Sequence, residues 1–183
     1  TLYLSTCQEL DKYYLHYGAE AQRIRRYRFS SLGEADILPR CPSREEKNAI
    51  RGELGIREEK VLLSIGQFIP RKGIDLLLQA ANGMDKHIGI YIIGGTPTEE
   101  YMAFGLGVVT TDRCNAGLEL IQNGKNGFLV PTEDVHALRE AILACLVDSR
   151  ALGQAALETI RPYTVQTMAA DHITHLTEFS HKD

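Results

Sequence analysis

Val61-Leu62-Leu63-Ser64-Ile65-Gly66, the helical stripe Ile74, Leu77, Leu78 and Ala81, and then Ile88-Gly89-Ile90-Tyr91-Ile92-Ile93-Gly94-Gly95 decide the fold class of this 183-residue chain. The two strand-like runs are apolar almost throughout. A strand with one wet face alternates instead, so these read as strands covered on both sides, the pattern of a parallel sheet. Between them the apolar residues recur at i, i+3, i+4 and i+7, one face of an amphipathic helix. Strand, helix and strand in that order make a βαβ unit, because parallel neighbours need a crossover.

The alternation continues outward from this unit. Leu106 to Thr111 reads as a strand, Gly117 to Ile121 as a short helix, and Asn123-Gly124-Lys125-Asn126-Gly127 as a turn. Phe128 to Val130 is a further strand stopped by Pro131. A helix over Asp134 to Leu146 packs through Val135, Leu138, Ile142 and Cys145, and another covers Ser149 to Arg161. A last helix opens at Val165 with Met168, Ala169, His172, Ile173, Leu176 and Phe179 on the same stripe. Towards the start of the chain, Ser43-Arg44-Glu45-Glu46 is a capping box for a helix running to Leu54, with Gly55 as its stop. Residues 30–42 carry Gly33, Pro39 and Pro42 without periodicity, as a linker does. Leu2 to Ser5 reads as a strand, Thr6-Cys7-Gln8-Glu9 as a capping box, and Leu10, Tyr13, Tyr14 and Tyr17 as a helical face ended by Gly18. Arg23 to Phe29 interleaves four arginines with Ile24, Tyr27 and Phe29; it reads as an exposed strand with a solvated basic edge, against the alternative of a polyphosphate or membrane-surface patch. The fold class is α/β, a doubly wound parallel sheet.

Composition narrows the function. The chain is 44% hydrophobic and 24% charged, as one globular domain with a sizeable core would be, and its formal net charge is −4. That balance argues against nucleic acid, which calls for a basic footprint. No apolar run approaches the roughly 20 residues that span a bilayer. Cys7, Cys41, Cys114 and Cys145 stand far apart, with no spacing of a zinc or redox pair, so a reducing, cytoplasmic compartment is expected. His172 and His175 share a helical face but lack a third ligand nearby, and no metal is expected.

Ligands of open parallel sheets bind beyond the carboxyl ends of the strands. The loop Gly66-Gln67-Phe68-Ile69-Pro70-Arg71-Lys72-Gly73 places two cations at the entrance to a helix whose N-terminus itself favours anions, which suits a diphosphate as well as a solvated loop tip. Its spacing is neither that of a P-loop nor GxGxxG. Gly94-Gly95-Thr96-Pro97 would let a ligand approach the backbone closely. Asp112 to Gly117 enters the short helix that carries Glu119.

Together these segments resemble something definite. Ser64 to Asp75 resembles the first strand–loop–helix of the donor domain in retaining GT-B glycosyltransferases of family 4 (glycosyl transferases group 1). Tyr91 to Gly95 resembles its second strand, Met102 to Asp112 the stretch beginning at an acidic helix, and Gly117 to Ile121 with Asn123 to Pro131 the next loop, helix and strand. The resemblance runs in order from Val61 to Leu146. It implies a Rossmann-like donor domain over 43–162, preceded by the end of the acceptor domain over 1–29 and the interdomain linker over 30–42. A C-terminal helix over 163–183 is similar to the one that crosses back to the first domain. The implied activity moves a hexose from a nucleotide diphosphate sugar to a saccharide or lipid-linked acceptor, with retention and without a cofactor or obligatory metal. Surface polysaccharide or glycolipid synthesis is the implied setting, in the cytoplasm or peripherally at the inner face of the membrane.

Residue by residue, Lys72 falls where the family has the lysine that binds the donor diphosphate, and Gln67 where many members have an arginine, so that one cationic contact is either lost or supplied by Arg71. Gly107 stands in place of the usual proline. Preorganised cations lower the barrier as negative charge grows on the departing diphosphate, so Arg71 and Lys72 are the expected catalytic residues. Gly66, Gln67, Gly94, Gly95, Glu100, Gly117 and Glu119 are the expected donor-binding set. Glu100-Tyr101-Met102-Ala103 resembles the family's Glu-Ala-Met-Ala, which would make Glu100 the ribose glutamate; it fits equally in a helix following Gly95. Between Gly95 and Met102 the family has about two βαβ-sized units, on the order of 60 residues, including a glutamate pair. Here six residues fill the interval, Thr96 to Tyr101. A sheet without its central strands would expose apolar edges, so segments are expected to be missing there and before Thr1. Two other readings compete: a nucleotide-sugar-binding module without turnover, and a flavodoxin-like domain that binds flavin or a phosphoryl group. The expectation of missing segments has a direct check. Intact-mass spectrometry of the protein from its source should exceed 20.4 kDa, and a mass of 20.4 kDa would refute it.

Overall fold

A computed structural model describes residues 1–66, 72–93 and 106–180. The chain runs β1 (Tyr3–Ser5), α1 (Gln8–His16), β2 (Ile24–Arg26), α2 (Arg44–Glu53), β3 (Lys60–Ile65), α3 (Ile74–Ala81) and β4 (Ile88–Ile93). It continues through β5 (Val108–Thr111), α4 (Asn115–Leu120), β6 (Gly127–Val130), α5 (Val135–Val147), α6 (Ser149–Ile160) and α7 (Val165–Ser180). Short 3-10 turns occupy Ala21–Arg23 and Glu34–Asp36. Every strand pair is parallel: β1 with β2, β3 with β4 from Lys60 opposite Ile88 to Ile65 opposite Ile93, and β5 with β6. The α/β class and the parallel crossovers stand as expected. Among the described residues the strands form three two-stranded sheets, not one continuous sheet. No helix among them is long and apolar enough to cross a membrane.

The core gathers Leu32, Val108, Leu120, Ala156, Leu157 and Ile160. Helix α6 supplies three of these, and Leu32 comes from the segment read as a linker. The loop before β6 is fastened from within: Asn126, buried, donates to the Leu120 carbonyl at 2.9 Å and the Thr159 hydroxyl at 3.0 Å, and accepts from the Gln122 amide at 2.8 Å. Gly124 takes φ 74° to close that turn.

Some local expectations shift. Strand β3, read as covered on both faces, is only half-buried along its length. The apolar face of α3 is rotated: Leu78 is 54% exposed while Ala80 is fully buried. The small Ala80 lies where α3 meets α5, and a close helix approach selects the small residue over the large one. On α7, Ile173 and Leu176 of the apolar stripe are exposed. The contacts run instead through its polar members. Asp171 accepts from the Arg28 amide, the His175 ring bonds the Arg26 carbonyl, and His172 packs against Tyr27 with ring centroids 4.3 Å apart. Helix α1 begins at Gln8 with Cys7 as its N-cap, and Thr6 makes no cap; Glu9, which the box would turn back, pairs with Lys12 at 2.6 Å.

The Ser43 box does form. Its hydroxyl accepts from the Glu46 amide at 3.2 Å and the Glu46 carboxylate accepts from the Ser43 amide at 2.6 Å. Arg40 adds a bidentate pair at 2.6 and 2.8 Å, and these bonds hold the Glu46 carboxyl down at about 2. A depressed carboxyl contributes stability above its unfolded pKa and loses it as pH falls towards the folded value. The Glu46 contribution therefore fades between about pH 4.5 and 2, and Glu46→Gln should flatten the acid limb of a stability-against-pH curve in that window. An unchanged limb would mean that the cap contributes nothing.

Arg139 of α5 serves the end of α3, whose last carbonyls have no helical partners. Its guanidinium donates to the carbonyls of Ala80 at 3.0 Å, Asn82 at 2.5 Å and Gly83 at 3.3 Å. Arg139→Met keeps the stem and removes the fork, and should cost about 1–3 kcal/mol in urea denaturation. An unchanged midpoint would show that water serves those carbonyls equally well.

Candidate functional site

Strand β3 leaves Gly66 at its carboxyl end, and α3 opens at Ile74 after Gly73, whose φ of 60° and ψ of 33° lie in the left-handed region that favours glycine. Lys72 stands exposed between them. A Cβ placed on Gly66 would come 3.9 Å from Lys72 Cγ, so the lysine stem passes over the bare glycine backbone. The N-cap, Gly73, has no side chain with which to cap the first turn of α3. The first-turn amides, a helix dipole and an ammonium group thus share one corner at the end of a parallel strand, an arrangement that suits an anion. Gln67, Arg71, Gly94, Gly95 and Glu100 lie outside the described residues.

Gly117 and Glu119 lie elsewhere, on α4. Gly117 is buried against the sheet, where a Cβ would come within 2.5 Å of Thr110 Cγ2 and 3.4 Å of Leu129 Cδ1. Packing of α4 on β5 and β6 accounts for this glycine. Gly107 has a similar ground: a Cβ there would meet Cys145 Sγ at 2.9 Å. Glu119 faces Arg26 of β2 at 3.7 Å, and Arg26 also pairs with Asp11 of α1 at 2.7 Å. Burial, the largest single influence, raises the Asp11 carboxyl, but the hydrogen bonds to Arg26 and Ser5 and the Arg26 charge together outweigh it and lower it; the bond to Asp11 raises Arg26. The arginines read as a solvated edge are therefore partly committed, since Arg28 also pairs with Asp171 at 3.4 Å.

Beside this bridge, a cavity of about 200 Å³ opens between the loop after β1 and the start of α4. Thr6, Phe29, Asn115, Glu119 and Tyr163 line it, and neither Gly66 nor Lys72 does. Burial, reinforced by the Glu119 charge, pushes the Tyr163 hydroxyl up. Sequence reasoning picked out Glu119 alone of this group. The rest come from four separate segments, and no spacing announces them. Among the described residues no cluster of His, Cys, Asp or Glu is arranged to hold a metal ion. The rings of His172 and His175 are each bonded to a carbonyl, at 2.8 and 2.7 Å.

Comparison with known proteins agrees with this architecture. Residues 95–148, under a third of the chain, match the family model described as glycosyl transferases group 1. Anabaena HepE, in complex with UDP and glucose, superposes with a TM-score of 0.77 at 15% identity, covering 97% of this chain and 63% of that one. A glycosyltransferase from Rickettsia africae gives 0.77 at 14% identity with the same coverage. Sucrose-phosphate synthase from Thermosynechococcus elongatus gives 0.74 at 17%, covering 98% of this chain and 58% of that one. No curated relative matches the sequence. The fold is that of the GT-B glycosyltransferases, and the chain spans less than two thirds of the length of these structures.

The packing ground for Gly117 can be separated from ligand binding. Gly117→Ala should destabilise the fold by about 1–3 kcal/mol through overpacking, with nucleotide affinity unchanged for the folded fraction. A fully stable variant with lost affinity would return Gly117 to the binding set.

Proposed function

We propose that this chain is the donor-binding part of a retaining family 4 glycosyltransferase. It moves a hexose from a nucleotide diphosphate sugar to a saccharide or lipid-linked acceptor in surface polysaccharide or glycolipid synthesis. The work is done in the cytoplasm, where a lipid-linked acceptor brings the enzyme to the inner face of the membrane. The observation that carries the reading is the corner formed by Gly66, Lys72 and the uncapped start of α3. A diphosphate placed there meets the first-turn amides and one ammonium group, and Arg71 adds a second cation from the same loop. As the anomeric bond breaks, charge accumulates on the β-phosphate, and cations already in position lower that barrier without reorganising. The group 1 match over 95–148 supports the reading, and so does the fold shared with a UDP- and glucose-bound structure, which makes a UDP-hexose the first donor to try. Gln67, Gly94, Gly95 and Glu100 complete the proposed donor set, with Glu100 on the ribose.

One observation favours a second reading, binding without turnover: β4 ends at Ile93 and β5 begins at Val108, a short interval for the elements that read the sugar. Incubation with UDP-glucose divides the two, since slow donor hydrolysis or transfer supports the enzyme and binding alone supports the module.

Lys72→Ala tests the corner itself. UDP affinity should fall by about tenfold, the scale of one charge-assisted contact, while thermal stability stays nearly constant because the side chain is exposed. Parent-like binding of both UDP and GDP would give Lys72 another role.

A further inference from the structure

The cavity beside α4 carries chemistry that the diphosphate corner does not use. It lies where β1 and β5 end, the side of a parallel sheet on which ligands are met. Thr6, Asn115 and Tyr163 all line it, and neither side-chain hydroxyl nor the Asn115 side-chain amide has a hydrogen-bond partner among the described residues. Glu119 makes one long ion pair, at 3.7 Å, which leaves its carboxylate free to accept shorter bonds. Phe29, 55% exposed, offers a ring beside them. The two arginines that act on Tyr163 are both paired, Arg28 with Asp171 at 3.4 Å and Arg26 with Asp11 at 2.7 Å and Glu119 at 3.7 Å, so neither brings an unpaired positive charge to the cavity.

That balance excludes a phosphate and selects a neutral ligand rich in hydroxyls. A carboxylate accepts from two neighbouring hydroxyls, an amide both donates and accepts, and an aromatic ring covers an apolar C–H face. The volume, about 200 Å³, is below the roughly 300–1,000 Å³ of pockets for drug-sized molecules and matches a single ring. We propose that the cavity bounded by Thr6, Phe29, Asn115, Glu119 and Tyr163 is a subsite for one uncharged sugar ring, separate from the diphosphate corner at Lys72. Assigning that ring to the acceptor rests on the transferase reading; the binding of the ring does not.

The test is an amide-resolved NMR titration of the full chain with the methyl glycosides of glucose, galactose, mannose and N-acetylglucosamine, run beside one with UDP. At least one glycoside should shift the amides of Thr6, Asn115 and Glu119, while UDP shifts those around Gly66 and Lys72. Glu119→Gln should weaken the glycoside by about tenfold and Tyr163→Phe by about threefold, with Tyr163→Phe keeping the parent's thermal midpoint and UDP affinity. No shift at the cavity with any of the four, or shifts indifferent to both variants, overturns the subsite. Glycoside shifts at the cavity without UDP binding would keep the subsite and remove the transferase assignment; UDP binding with a silent cavity would do the reverse.

Discussion

Among the described residues two parallel strand pairs, β3–β4 and β5–β6, form separate sheets, and they are joined where α3 packs on α5 and Arg139 closes over the end of α3. Three carbonyls that would otherwise face water or nothing are satisfied by a single guanidinium from the neighbouring unit. The corner proposed for the diphosphate stands at the other end of the same helix. Its orientation relative to the rest of the chain is therefore set by how α3 is held at its C-terminus. A small residue, Ala80, brings the two helices close, and the arginine fixes their register.

A second fastening centres on Arg26. Arg26 joins α1 through Asp11 and α4 through Glu119, while its carbonyl takes the ring of His175 from α7. The first βαβ unit, the short helix after β5 and the last helix thereby meet around one side chain. Exposed ion pairs are individually weak, but a shared arginine with a partly shielded carboxylate gains from geometry as well as charge. The cavity next to Glu119 is lined by the first two of these segments and by Tyr163.

Much of this was legible in the sequence. Apolar runs without alternation marked β3 and β4, and the Ser43 box was found because its glutamate had no stronger partner than the cap and Arg40. Thr6 carries the same pattern and fails, since Glu9 turns forward to Lys12 and the chain enters α1 one residue later. Periodicity located α3 and α7 but not their contact faces. Which face is buried depends on the neighbour, and Ala80 or Asp171 is chosen by proximity, not by hydropathy. Gly117 read as the start of a short helix and as a donor-binding glycine, while its steric ground, Thr110 on the adjacent strand, is invisible until the strands pair. Arg139 and Tyr163 act across long sequence separations and left no local signal.

The account turns on the anion corner at the mouth of α3. A crystal structure of this chain with UDP-glucose examines it most directly. The account predicts diphosphate density against the first turn of α3, within hydrogen-bonding reach of Lys72 Nζ and lying over Gly66. Diphosphate density at another edge of the molecule, with Lys72 facing solvent, would contradict it.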